Sequence, residues 1–266
     1  MKICVLGCGN MGGAIIDGLH KSYGEKVKFE IWDTFAASAE KFTFAKIKAP
    51  DLWFENGKPD VVLVAVKPQI IKEALSVFET AGKNNGCLWI SIAAGISIST
   101  LQNLLPSDAK IARVMPNTPA LIGEGCSLYS LNSFCDENDK KTVEQILNSV
   151  GISFEIPESQ MNAATGLSGS GPAYIYTIIE AFAEAGVAAG LPYEIALKSA
   201  TQTVLGSAKM VQQAGESPAT LKARVMSPNG TTVAGNTALE NGGIRDVIKS
   251  AVIAATNRAE ELGRNS

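Results

Sequence analysis

The tract Ser227-Pro228-Asn229-Gly230-Thr231-Thr232 gathers hydroxyl, proline and glycine residues at what reads as the start of a helix over Val233 to Leu239. A helix start leaves backbone N–H groups unpaired at the positive end of the dipole, which suits a small carboxylate. One Ser or Thr caps a helix and one Gly or Pro turns a loop, so the tract holds more of these residues than capping needs. An elaborate cap and a carboxylate site are both open readings of it. A second Gly/Ser/Pro-rich stretch, Leu167-Ser168-Gly169-Ser170-Gly171-Pro172-Ala173-Tyr174, reads as another helix start. Neither tract contains a nucleophile–His–acid set, which argues against hydrolysis. His20, the lone histidine, falls late in the first helix beside Lys21 and reads as a helix-end residue. Chemistry here must run without a histidine base, and direct hydride transfer to a small acidic substrate fits best.

A hydride donor has its own signature near the N-terminus. Lys2–Leu6 reads as a strand, Gly7-Cys8-Gly9-Asn10-Met11-Gly12 as a turn, and Gly13 to about Leu19 as an apolar helix. A second strand, Phe29–Trp32, ends at Asp33, 21 positions beyond Gly12. That is GxGxxG between a strand and a helix, followed by an acid at ribose-binding distance. Gly7 permits the tight turn, Gly9 lets the backbone approach a pyrophosphate, and Gly12 lets helix and strand pack closely. An acid at Asp33 would accept bonds from a ribose 2′-OH and favours NAD; no arginine follows it, and Thr34 and Lys41 are the nearest groups for a 2′-phosphate.

The elements that must position these residues follow an α/β rhythm. Asp60–Val66 is a near-continuous apolar run, as expected of a strand buried on both faces, and stops at Lys67-Pro68. A helix over Gln69–Phe78, strands at Cys87–Ile92 and Lys110–Val114, a helix from Ser97, a helix near Glu137–Ser149 and a strand near Ile152–Ile156 complete this half. Four strand ends carry distinctive tracts: Gly7–Gly12, Asp33-Thr34, Val66-Lys67-Pro68 and Met115-Pro116-Asn117-Thr118-Pro119. Ligands of an open parallel sheet lie at those carboxyl ends. Lys67 reads as a phosphate partner or as an ordinary solvated lysine.

From about Glu158 strand-like runs give way to alanine-rich helices over Ala173–Ala189, Tyr193–Ala214, Thr231–Glu240 and Ile244–Leu262. These helices are too apolar for a segment of this size to bury alone, so a dimer with interleaved helices is expected. The fold class is therefore α/β: a Rossmann-type dinucleotide-binding domain over 1–157 followed by an all-α domain over 158–266.

Composition narrows the function classes. The 266 residues are 46% hydrophobic and 18% charged with a net charge of −3, as in a soluble globular chain, and offer no basic surface for nucleic acid or an anionic membrane. No apolar run approaches the roughly 18 residues that span a bilayer, and the N-terminus reads as a mature cytoplasmic start. Five cysteines without a CxxC pair argue against a disulfide framework or a zinc site, and no metal is expected.

Taken together, Gly7–Gly12, Ala65-Val66-Lys67-Pro68-Gln69, Arg113–Pro119, Gly166–Tyr174 and Ser227–Thr232 make the chain resemble the pyrroline-5-carboxylate reductase family over essentially its full length. The resemblance implies reduction of 1-pyrroline-5-carboxylate to L-proline by hydride transfer from NAD(P)H, with NADPH generally favoured and NADH possible. It implies an active site between the two domains, and a homodimer or a larger assembly of dimers, with the C-terminal domain dimerising. On the cofactor side it implies Leu6, Gly7, Cys8, Gly9, Asn10, Met11 and Gly12 at the pyrophosphate and Asp33 and Thr34 near the adenosine ribose. Ala65, Val66, Lys67, Pro68, Ala94 and Asn117 complete that side. On the substrate side it implies Glu158, Ser227, Gly230, Thr231 and Thr232. The N–H groups of Gly230 and Thr231 would hold the carboxylate, and the Thr232 hydroxyl, the catalytic group, would meet the ring nitrogen. The chain departs from the family pattern at Asn229 (usually glycine), Ala223 (commonly acidic) and Arg224 (frequently neutral), and an asparagine upstream of the fourth strand has no clear match. A reductase of another cyclic imine or small oxo acid, and a catalytically silent NAD(P)-binding regulator, are the alternative readings.

Overall fold

A computed structural model describes residues 1–55, 57–80 and 86–264; positions 56, 81–85 and 265–266 of the two expected domains lie outside the described residues. Among the described residues the first elements are β1 (Lys2–Leu6), α1 (Asn10–Tyr23), β2 (Lys28–Trp32), α2 (Ala36–Glu40), β3 (Lys46–Ile47) and β4 (Val61–Val64). They are followed by α3 (Ile71–Thr80), β5 (Leu88–Ser91), α4 (Ile98–Leu104), β6 (Lys110–Met115), β7 (Gly125–Leu131), α5 (Glu137–Leu147) and β8 (Gly151–Glu155). The strands form one sheet in the order β3-β2-β1-β4-β5-β6-β7-β8. Every pairing is parallel except β6 with β7. Because β1 lies between β2 and β4, the chain winds outward from β1 in both directions. That reversal opens a crevice at the carboxyl ends of β1 and β4.

Strand alternation builds two apolar layers. Val61 and Leu63 join Ile3, Val5 and the α1 residues Ile15, Ile16 and Leu19 on one face. Val62 and Val64 join Cys4, Leu6, Trp89 and the α3 residues Ile71 and Leu75 on the other. Successive side chains point to opposite faces of a strand. A run such as Val61–Val64, with every residue buried, therefore requires helices on both sides of the sheet. Each fully buried Val, Leu or Ile contributes about 1.5–3 kcal/mol. Burial pushes the thiols of Cys4, Cys8 and Cys87 up to about 12, so these cysteines pack as small hydrophobes. His20 lies in the last turn of α1 and stacks on Phe44, ring centroids 3.6 Å apart.

Two strands were not anticipated from the sequence. β3 has two residues and pairs only with β2. β7 returns antiparallel to β6 after a 3₁₀ turn over Thr118–Ile122, and its serines hide it from a hydrophobic reading. Ser127 and Ser130 are nevertheless buried, and the Ser130 hydroxyl donates to the Ile156 carbonyl at 2.7 Å.

The remaining helices are α6 (Met161–Ala164), α7 (Gly171–Ala188), α8 (Tyr193–Gln213), α9 (Pro218–Arg224), α10 (Thr231–Asn241) and α11 (Ile244–Arg264), with a π-helical turn over Thr165–Gly169. Residues 1–170 with 253–266 form one compact unit and 171–252 another. The stretch read as an open helix start at Leu167–Tyr174 is instead entered from α6 through the π turn, where the Ser170 N–H donates to the Thr165 carbonyl at 2.9 Å. In the second unit α7 and α8 form a hairpin around Gly190, whose φ of +101° few other residues adopt. The only buried residues within α7, α8, α9 and α10 are Ala183, Ala196 and Ala200, while Ile175, Tyr176, Phe182 and Ile195 are exposed in the single chain. Among the described residues no helix is long and apolar enough to cross a membrane.

The start of α5 shows how local chemistry anchors a helix to the sheet. Asp136 accepts from the N–H groups of Asn138 and Asp139, the Asp139 carboxylate accepts from the Asp136 N–H, and Lys110 on β6 bridges both acids. The Lys110 ammonium first, and the two N–H groups next, hold the Asp136 carboxyl down at about 2. A folded value below the unfolded one gives stability that is complete above the ordinary carboxylate range and is lost as pH falls through about 2. Asp136→Ala is expected to melt below wild type at pH 7, with the deficit narrowing as pH falls from about 5 towards 2. Thermal melts across that range check it, and a deficit independent of pH would overturn it.

Candidate functional site

A cavity of about 740 Å³ opens at the carboxyl ends of β1, β2 and β4. Of the residues expected on the cofactor side, Leu6, Gly7, Gly9, Asp33, Thr34, Ala65, Val66 and Lys67 line it. Trp32, Asp51, Ile70, Glu73 and Val77 also line it and were not anticipated. Trp32 ends β2, and the others come from the segment after β3 and from the approach to and first turns of α3, where no motif marks a residue as facing the crevice.

The turn itself explains its glycines. Gly7 has φ +102°, and a Cβ there would stand 2.6 Å from the Ala65 carbonyl oxygen. A Cβ on Gly12 would collide with the Gly7 carbonyl and come within 2.9 Å of the Ala65 methyl. Gly9 differs: a Cβ there meets nothing within 4 Å and would project into open space. α1 starts directly after it with no side-chain cap and no acid in its first turn. Bare N–H groups at a positive helix end, with a glycine leaving room for close approach, fit a pyrophosphate. Asp33 closes the arrangement. One carboxylate oxygen accepts from the Cys8 N–H at 2.7 Å and the other from the Phe35 N–H at 2.8 Å, so the acid is fixed against the phosphate turn.

Other expected cofactor-side residues are placed around this cleft rather than in it. The Cys8 side chain is in the core. Asn10 lines a separate cavity of about 490 Å³ with Gly13, Lys21 and Lys41. Met11 packs against the core beside α1, Pro68 opens a 3₁₀ turn over Pro68–Ile70, and Ala94 is exposed in the turn after β5. The Asn117 amide is committed within the fold: it accepts from the Cys126 N–H at 2.8 Å and donates to the Ser168 carbonyl at 3.2 Å.

Glu158 is held by partners that the sequence did not reveal. Its Oε1 accepts from the Ile98 N–H at 2.7 Å, at the start of α4, and from the buried Arg113 guanidinium at 2.9 Å. The pair joins β6, α4 and the segment leading into α6. In the second unit, the Ser227 carbonyl accepts from the Gly230 N–H at 2.9 Å, and Asn229 has φ 58°. Pro228 then left-handed Asn229 is the pattern of a type II turn, and Asn tolerates that angle better than most residues. The Gly230 N–H, expected to face a carboxylate, donates within this turn. α10 begins at Thr231 without a side-chain cap and without an acid in its first turn. A Cβ on Gly230 would strike the Ser227 hydroxyl. Arg224 pairs with Glu216 at 2.6 Å.

Removing Glu158 strands the Arg113 charge, whose side chain is 10% exposed against 34% for Glu158. Breaking a fully buried pair costs about 3–5 kcal/mol, and partial exposure of the acid lowers that to about 2 kcal/mol for Glu158→Ala, with Glu158→Gln recovering part of it. Urea denaturation of the variants checks this, and unchanged stability in Glu158→Ala would overturn it.

Comparison with known proteins agrees with both halves of the chain. Residues 158–262 match the family described as pyrroline-5-carboxylate reductase dimerisation, and residues 2–95 match one described as NADP oxidoreductase, coenzyme F420-dependent. The pyrroline-5-carboxylate reductase of Escherichia coli (strain K12) is 38% identical over 271 residues, covering 99% of both chains. That of Arabidopsis thaliana is 47% identical over 206 residues, covering 77% of this chain and 74% of its own. Among solved structures, the Plasmodium falciparum pyrroline carboxylate reductase with NADP bound superposes with a TM-score of 0.84 at 33% identity, covering 99% of this chain and 98% of that one. The Coxiella burnetii pyrroline-5-carboxylate reductase superposes with a TM-score of 0.90 at 33% identity, covering 98% of this chain and 97% of that one. With the turn, the crevice and full-length similarity in agreement, the chain belongs to the pyrroline-5-carboxylate reductase family.

Proposed function

We propose that this protein reduces 1-pyrroline-5-carboxylate to L-proline. NADPH, the reduced form of the NADP held by the Plasmodium relative, is the hydride donor, and NADH is admitted at the same cleft. The observation that carries the reading is the pairing of an uncapped α1 at a glycine-lined cleft with a second uncapped helix start at α10, in a chain of this family. The N–H groups at the start of α1 and the open space at Gly9 would hold the pyrophosphate, with Asp33 and Thr34 at the ribose and Val66 and Lys67 along the cleft. When bound, the reduced nicotinamide supplies a hydride for the imine carbon.

The chain's own work is binding and orientation. The first-turn N–H groups of α10, at Thr231 and Thr232, would take the substrate carboxylate, since the Gly230 N–H is already used. Ser227 and Gly230 shape the turn that presents them. The Thr232 hydroxyl would meet the ring nitrogen. The iminium form of the substrate is electrophilic without further help, so positioning supplies most of the acceleration. Glu158 would act on the substrate side by keeping Arg113 and the start of α4 in place. The boundary of the two functional domains is proposed at 157/158, where the dimerisation match begins.

A homodimer, or an assembly of dimers, is the proposed oligomer, because the helices of the second unit leave large apolar side chains exposed in the single chain. A reducing cytoplasm is the proposed compartment, in keeping with five free thiols. Light scattering is expected to give at least twice the chain mass of 27.9 kDa; a monomer would refute the dimer. Adding pyrroline-5-carboxylate to enzyme and reduced cofactor is expected to consume the nicotinamide absorbance, with kcat lowered about ten-fold or more in Thr232→Ala. Absence of turnover with both NADPH and NADH would sink the function, and wild-type kinetics in the variant would sink the role of Thr232.

A further inference from the structure

We propose that Asn229 is a site of spontaneous deamidation, and that the negative charge formed there obstructs the carboxylate site at the start of α10, so that the protein loses substrate affinity as it ages. The consequence rests on the reading of α10 given above; the modification itself does not.

The reaction needs an asparagine followed by an unhindered backbone N–H. The Gly230 nitrogen, once deprotonated, attacks the Asn229 carboxamide carbon. An N–Cγ bond forms, the Cγ–Nδ2 bond breaks and ammonia leaves, giving a five-membered succinimide. Water then opens the ring at either carbonyl. The product is aspartate or isoaspartate, with one water consumed and one ammonia released.

The chain has four Asn-Gly pairs, at 56–57, 85–86, 229–230 and 241–242, of which Asn56 and Asn85 lie outside the described residues. Asn229 is exposed, and among the described residues it is the only non-glycine residue with positive φ. Asn bears that angle better than most residues, but still at a cost. A single backbone bond closes the turn, from the Gly230 N–H to the Ser227 carbonyl at 2.9 Å. Exposed turns open locally at little free-energy cost, and opening releases the nucleophilic nitrogen. Asn241 is the contrast. It ends α10, and the Gly242 N–H donates to the carbonyls of both Ala238 and Glu240. Gly230 is also fixed by packing, since a Cβ there would strike the Ser227 hydroxyl. The hazard is therefore set by the residue at 229, where the family usually has glycine.

The damage follows from position. Asn229 immediately precedes Gly230, the N-cap of α10. A carboxylate at 229 is drawn to the same positive helix end that would hold the substrate carboxylate, and the two like charges repel. Ring closure also consumes the Gly230 N–H that closes the turn.

The test ages the full-length protein at mildly alkaline pH and follows each Asn-Gly pair by tandem mass spectrometry, with enzymatic methylation specific for isoaspartate. Asn229 is expected to show the amide-to-acid mass gain well before Asn241. Fresh Asn229→Asp is expected to raise KM about ten-fold with kcat moving less. That rise should shrink as salt increases from about 0.05 to 0.5 M, because salt screens the repulsion. Aged wild type should move towards the same KM, whereas Asn229→Gly should keep its own starting KM on ageing. Modification at Asn229 no faster than at Asn241 would overturn the inference and leave the reductase reading intact, as would an unchanged KM in Asn229→Asp. Absence of turnover in fresh protein would sink the reductase reading and the consequence with it, while the mass measurement still decides the modification. Should ageing unfold the protein, fresh Asn229→Asp decides the effect on KM.

Discussion

The packing at Gly12 is the constraint on which the site depends. A Cβ there would strike the Gly7 carbonyl and come within 2.9 Å of the Ala65 methyl, while a Cβ on Gly7 would stand 2.6 Å from the Ala65 carbonyl. The end of β1, the first turn of α1 and the end of β4 are thus in direct contact, with no room for a side chain between them. Interiors packed this densely transmit any added volume to the backbone. The approach places the N-terminus of α1 at the crevice that the sheet order opens between β1 and β4. Gly9, at the same turn, faces open space instead. Two glycines make the contact, and the third leaves a vacancy where a phosphate can approach.

The helix starts divide by how their N–H groups are satisfied. α5 has a reciprocal capping box, α4 is capped by Ser97 and reinforced by Glu158, and α9 is capped by Ser217. α8 lacks a side-chain cap but carries Glu194 in its first turn. α1 and α10 have neither a side-chain cap nor an acid in the first turn. Exposed N–H groups at a positive helix end lower the free energy of a bound anion. The short helices α2 and α6 also start without a cap or a first-turn acid, so a bare start alone does not mark an anion site; at α1 it coincides with a glycine-lined cleft. Asp33 fixes the glycine turn by consuming one of its N–H groups and brings negative charge to the cleft.

Much of this architecture is legible in the residue order. β1, β2, β4, β5 and β6 announce themselves because strands covered on both faces must be apolar at nearly every position. α7, α8, α10 and α11 announce themselves through long alanine-rich stretches bounded by glycine. β7 did not, because its buried Ser130 is satisfied by the Ile156 carbonyl, 26 positions away, which local pattern cannot supply. Leu167–Tyr174 was read as an open helix start, and α7 does begin within it at Gly171, but the preceding π turn over Thr165–Gly169 was not legible, since glycine and serine mark either. Ser227–Thr232 stands out by composition, but the use of the Gly230 N–H by its own turn appears only in three dimensions.

By itself the sequence determined the class of chemistry. The lone histidine leaves no histidine pair for base or metal work, GxGxxG between strand and helix calls for a dinucleotide, and Ser227–Thr232 is over-furnished for a cap and open to a small carboxylate. Such signals survive in one dimension because each depends on residues within one or two turns of each other. Tertiary structure alone decided which charges are committed and which are free. Asp33 meets Cys8 across 25 positions, Glu158 meets Arg113 across 45 and Ile98 across 60, and Asp51 and Glu73 reach the cleft from other segments. Electrostatic partners are chosen by distance in space, and chain separation carries almost no information about it.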